Sequence, residues 1–414
     1  MISNTMKSET NVKLPLAFIL YGLIALIIAQ IILFINSDLL TNSSFRLPDI
    51  WMGAHFLLLG YAVMIAMGAM YQLVPVAFLT PIWSHKLGYI QFVITALGFS
   101  IFSVLLGLKP EKAIFGGILA IVGVLLFLIQ MARTILSQKK KNKMTYFVLG
   151  ALSSFFLTIS AGFLLAWNLS YGEIISHQTI LGSHIVLGVG GWFSLLIFGF
   201  SYKLVPMFSL SHGYSMKWAK SSFVVYITGL LLLILSFWTN FIYFETLGWI
   251  LLFLGFLFFT LDIKEILAKR MKKKLDKPFI FSLVAIGNGL VIHFIALLFH
   301  MAGYQNPISW SWIIFLYIMC WIVFSILGYL YKIVPFLWWT YKYSNKIGKE
   351  KVPTLKDMIH ESWSVVLFIC FITSVLGLTV GGLGQWSHLV ITFQGLLTLT
   401  SILYTCSIFR VLLK

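Results

Sequence analysis

The stretch Gly68-Ala-Met-Tyr71-Gln-Leu-Val-Pro75 returns as Gly199-Phe-Ser-Tyr202-Lys-Leu-Val-Pro206 and again as Gly328-Tyr-Leu-Tyr331-Lys-Ile-Val-Pro335, at spacings of 131 and 129 residues. Each copy lies toward the end of a long apolar run, and each interval holds four such runs. One pattern at nearly equal spacing marks an internal repeat. Glycine lets helices approach closely in a membrane and proline breaks a helix, so each copy is expected to close the second helix of a four-helix unit.

Working outward, apolar runs between turn and charge clusters predict spans near 15–36, 49–77, 87–108, 112–136, 144–168, 178–207, 218–239, 244–266, 279–303, 308–339, 361–383 and 388–411. Most are long enough for a hydrocarbon core of about 30 Å, which takes roughly 20 helical residues. The expected fold is an all-α polytopic membrane protein: twelve transmembrane helices in three pseudo-symmetric four-helix units, near 15–136, 144–266 and 279–411, within one membrane domain over 1–414. Composition agrees, with 60% hydrophobic and 10% charged residues, whereas an average soluble domain is about a quarter charged.

The formal charge of +17 would suggest nucleic acid in a soluble protein, but here it has a topological cause. Basic clusters follow the even spans: Arg133, Lys139, Lys140, Lys141 and Lys143; then Lys269, Arg270, Lys272, Lys273, Lys274 and Lys277; then Lys342, Lys346, Lys349, Lys351 and Lys356. The opposite loops hold only Arg46, Lys109 and Lys112. The positive-inside rule therefore places both termini and the even-span exits in the cytoplasm, with the chain multi-pass in the plasma membrane. The bilayer is the expected partner and nucleic acid is not. Cys320, Cys370 and Cys406 stand singly, without the Cys-x-x-Cys spacing of a zinc knuckle or an attached c-type heme. A short polar leader precedes the first run, which lacks a small-x-small cleavage site and is read as a retained span.

Twelve helices in three arcs of four, with both termini inside, resemble the catalytic subunit I of the heme-copper oxidase superfamily. The pattern is most similar to cbb-type oxidases and nitric oxide reductases. In these a helix that starts with His ends in a similar Gly-x-x-Tyr-x-x-Val-Pro stretch, as His55-Phe-Leu-Leu-Leu-Gly60 to Pro75 and Gly182-Ser-His184-Ile-Val-Leu-Gly188 to Pro206 do here. The resemblance places His55 where the family has an axial ligand of its low-spin heme, and His184 where it has the sixth-span copper ligand. It also implies His-x-His on the tenth span, where this chain has Ile313 and Phe315, and a His-His pair on the seventh, where it has none.

Nine histidines are few enough to place. His85, His212 and His360 fall near the basic loops, where a solvated imidazole is expected. His55, His177, His184, His293, His300 and His388 gather toward the outer leaflet. His177 and His184 are seven apart, as are His293 and His300, so each pair lies two turns up one helix face, about 10.5 Å apart. One metal cannot join such a pair, and a shared site must bridge helices. Neutral imidazole suits heme iron or copper, and an ionisable group inside a membrane is a functional candidate by default. The candidate heme ligands are His55, with His300 or His388 in place of the lost tenth-span ligands; the candidate metal ligands are His184 and His293. Trp310, Trp312, Trp338 and Trp339 are expected as aromatic-belt anchors, and Gly188, Gly190 and Gly191 as packing positions or a bed for a flat macrocycle. Carboxylates are nearly absent from span centres, which argues against a strong proton pump.

The expected function is a divergent oxidase-like membrane protein holding heme, with copper as a further cofactor, linked to respiration or nitric oxide handling. It would lack the complete oxygen-reducing centre, and other respiratory membrane subunits would be its partners. NnrS-type membrane proteins are a neighbouring class. The alternatives are a working oxidase or nitric oxide reductase with relocated ligands, and a transporter built on repeats with broken helices.

Overall fold

A computed structural model describes residues 12–139 and 141–414. The polar leader up to residue 11, and Lys140 of the first basic cluster, lie outside the described residues. Twelve helices are long and apolar enough to cross a membrane: Lys13–Ile35, Pro48–Phe78, His85–Leu108, Pro110–Leu136, Lys143–Tyr171, His177–Ser209, Ala219–Thr239, Ile242–Ala268, Lys277–Met301, Pro307–Lys346, Glu361–Leu383 and Ser387–Leu413, numbered here as spans 1 to 12. The chain is a multi-pass, all-helical membrane protein. Every boundary falls within three residues of the expected one except the end of span 10, which runs on to Lys346.

The repeated glycine packs the second span of each unit against the first. A Cβ on Gly68 would stand 2.7 Å from Phe18 Cβ and 2.9 Å from the Pro15 carbonyl, one on Gly199 3.0 Å from Phe147 Cβ, and one on Gly328 2.3 Å from Ser282 Oγ. The repeated tyrosine ties the same span to the far side of its unit. Tyr71 donates to Gln91 at 3.0 Å, Tyr202 donates to Asp262 at 3.0 Å, and Tyr331 shares a 2.5 Å bond with Ser407. The tyrosine's partner lies on the third span of the first unit and on the fourth span of the other two.

The repeated proline does not end its helix. Pro75 and Pro206 lie inside helices that continue to Phe78 and Ser209, where Leu79 and Leu210 turn the chain at φ 53°; Pro335 lies in one that continues to Tyr343. So close to a C-terminus, the missing N–H and the ring's clash with the preceding turn disturb little helix.

Upstream of each glycine the helix widens. Spans 2, 6 and 10 contain π-helical segments at Phe56–Val63, Val186–Ser194 and Tyr317–Val323, and each ends five residues before the repeated glycine. Such segments, with i→i+5 bonds, are rare and concentrate at functional sites. Three at one depth are a repeat feature that hydropathy does not carry.

Spans 8 and 9 are joined by a basic loop pinned by Asp276. Burial pushes this carboxyl up, but bonds and charge from Lys272, at 2.7 Å, and from Lys332 of span 10 outweigh it and hold it below the usual carboxylate range. Trp312 departs from the belt expectation: it is 2% exposed, edge-on to Phe45, and its Nε1 donates to Ser43 at 3.1 Å, so it seals span 10 against the turn before span 2.

Candidate functional site

His55 and His184 each stand at the last α-helical turn before a π segment. His55 Nδ1 lies 2.8 Å from the Trp51 carbonyl one turn back, and its ring is edge-on to Phe102 of span 3 at 5.5 Å. His184 Nδ1 lies 3.0 Å from the Thr158 carbonyl of span 5, and Gly162 leaves room for the ring, since a Cβ there would stand 3.1 Å from His184 Cε1.

A carbonyl can only accept, so Nδ1 carries the proton in both rings and Nε2 keeps its lone pair. Among the described residues no hydrogen bond engages either Nε2. Imidazoles that ligate metals have this tautomer, with the other ring nitrogen's proton held by a carbonyl. Both rings are partly buried, His55 in the first unit and His184 in the second. The glycines beside His184 serve helix packing: a Cβ on Gly191 would stand 2.6 Å from Ser154 Cβ, and one on Gly190 2.9 Å from Leu230 Cδ2.

His293 is held elsewhere. It is 4% exposed, its Nδ1 is 2.8 Å from the Gly289 carbonyl, and its Nε2 faces Tyr226 Oη at 3.4 Å. From Tyr226 the chain of contacts runs to Tyr317 at 3.2 Å, then to Ser194 at 2.6 Å, where Trp321 Nε1 also donates at 3.0 Å. Spans 6, 7, 9 and 10 meet on this network. The sequence reading did not single out Tyr226, Tyr317, Ser194 or Trp321. Hydroxyls set amid apolar runs were the available signal, because a buried polar group must find partners.

His300 is committed to span 8, with Nε2 2.8 Å from Thr246 Oγ1 and Nδ1 3.3 Å from Glu245. His388 is exposed in the first turn of span 12, and His177 is partly buried at the start of span 6. The structure thus gives His55 and His184 the same arrangement, Nδ1 on a carbonyl ahead of a π segment, and leaves His293, His300 and His388 in other surroundings. Among the described residues no three His, Cys, Asp or Glu side chains group as metal donors.

Two implied groups fare differently. The free Nε2 atoms of His55 and His184 are donors of the kind that would hold heme iron. An oxidase-type copper and heme pair does not fit between spans 6, 7, 8, 9 and 10, where Phe198 packs on Tyr226 and Phe256, and Phe256 packs on His293 and Trp321. Ile313, at 8% exposure, and Phe315 supply no ligand there.

No protein-family model matches the chain. No curated protein matches its sequence. Among solved structures it is similar to a heme-copper terminal oxidase whose dimer was determined by cryo-EM, with a TM-score of 0.68 and 13% identity over 97% of this chain and 84% of that one. At that identity the likeness shows the fold: the twelve helices are arranged as in the heme-copper oxidases.

Proposed function

We propose that this chain is a heme-binding membrane protein built on the oxidase fold, without the oxygen-reducing centre, that serves respiration or nitric oxide handling in the plasma membrane. The observation that supports this is the pair of imidazoles on spans 2 and 6, each with Nδ1 tied to a carbonyl and Nε2 free. His55 and His184 would hold the iron, while the Trp51 and Thr158 carbonyls fix their tautomers. Heme held in this way would supply one-electron transfer. The basic loops put the Gly-x-x-Tyr ends in the cytoplasm and this site in the outer leaflet, and other respiratory subunits are its partners.

The test is an optical spectrum of protein purified from a heme-replete host, with and without dithionite, beside metal analysis. The expected result is a Soret band that shifts on reduction and is lost or displaced in both His55→Ala and His184→Ala. Heme-free protein, or a band indifferent to both substitutions, would overturn the reading.

A further inference from the structure

Spans 2, 6 and 10 line a half-open cavity of about 70 Å³ on the Gly-x-x-Tyr side of their π segments. Its wall follows the repeat. Two residues before the repeated glycine it is lined by Ala66, Ile197 and Ile326, and one residue after by Ala69, Phe200 and Tyr329. The cavity exists because the first unit carries alanine at both levels, where the other two units carry large side chains.

The wall is apolar. The single hydroxyl in it, on Tyr329, is bonded to Ser201 Oγ at 2.8 Å. A water there would need 2–4 polar partners and finds none free. An apolar wall therefore favours an apolar occupant over water, and an apolar cavity of roughly 150 Å³ takes benzene or xenon. At about half that volume the space suits one or two heavy atoms.

From this we infer that the junction of spans 2, 6 and 10 is a binding site for a small apolar gas, of the monatomic or diatomic class. Span 2 carries its lining Ile65 ten residues beyond His55, so gas held there sits about 15 Å along the helix from the imidazole at 1.5 Å per residue. Nothing in the site depends on heme, so the inference stands apart from the functional proposal.

Xenon is the probe. Crystals of the full chain pressurised with xenon are expected to show anomalous density between the three spans. Ala66→Ile, which gives the first unit the residue of the other two, and Ala69→Leu should each abolish the peak while leaving the helices in place. Absence of the peak in the wild type, or its persistence in both variants, overturns the assignment.

Discussion

Spans 2 and 6 on one side and span 10 on the other carry the same eight-residue pattern, the same π segment and the same wall of the axial cavity. They differ at their two ends. Ahead of the π segment, spans 2 and 6 carry His55 and His184, where span 10 has Phe315 and Ile313; past the proline, spans 2 and 6 turn at a left-handed leucine, where span 10 runs on. Packing residues and ligand residues are therefore separable. The glycine and tyrosine positions maintain the unit, and a unit survives with its imidazole positions filled by hydrocarbon.

The largest effect should come from breaking what the three share. Gly68→Ala and Gly328→Ala push a methyl against backbone atoms at 2.9 Å and should each cost about 2–3 kcal/mol of stability. Gly199→Ala meets side-chain atoms at 3.0 and 3.3 Å and backbone no nearer than the Met144 carbonyl at 3.8 Å, and should cost about 1 kcal/mol. Thermal unfolding in detergent ranks them, and equal losses at all three would refute a packing role graded by clearance. Next, Ile313→His restores an imidazole to span 10. It buries a polar ring among apolar neighbours, so it should cost about 2 kcal/mol and leave the heme-to-protein ratio unchanged; a second heme equivalent would show that the third unit had kept its site.

The tyrosine anchors sharpen the contrast within the shared motif. Tyr202→Phe removes one of two donors, beside the Trp218 N–H, to the carboxyl of Asp262, which has no exposed surface. It should cost about 2 kcal/mol, and Tyr331→Phe, which loses only a hydroxyl partner, about 1 kcal/mol; denaturant midpoints in mixed micelles would separate or merge them. The smallest change is a gain. Leu79 is 85% exposed at φ 53°, so Leu79→Gly should relieve about 1 kcal/mol of left-handed strain, visible as a small rise in melting temperature. A fall would mean the side chain has a partner in the bilayer.

Most of the fold was legible in the sequence because hydropathy and a repeated pattern report span number and unit boundaries directly. Span 10's extension was not: Trp338, Trp339 and Tyr341 look like the end of a membrane run, yet the Trp339 Nε1 bond to the Pro353 carbonyl, at 2.7 Å, and the buried Met358 fasten the following loop beneath the helix. The site was half legible. Repeat alignment selected His55 and His184 over the other imidazoles, yet depth alone could not show that His300 bonds to Thr246 and Glu245, or that His293 closes a hydroxyl chain. Side-chain partners across helices depend on rotation about each helix axis, which a linear pattern leaves open.

That rotation gives the three π segments a meaning beyond their rarity. One extra residue in a turn rotates everything before it by about 100° relative to an unbroken α-helix. The upper half of span 2 can then aim its imidazole at span 3 and the neighbouring unit while its lower half keeps glycine and tyrosine on the faces that assemble its own. Deleting a single residue within Phe56–Val63 would turn His55 to a different neighbour without altering any side chain of the packing motif. Each π segment is in this sense a phase shifter, and it lets the chemistry at one end of a helix be re-aimed independently of the architecture at the other.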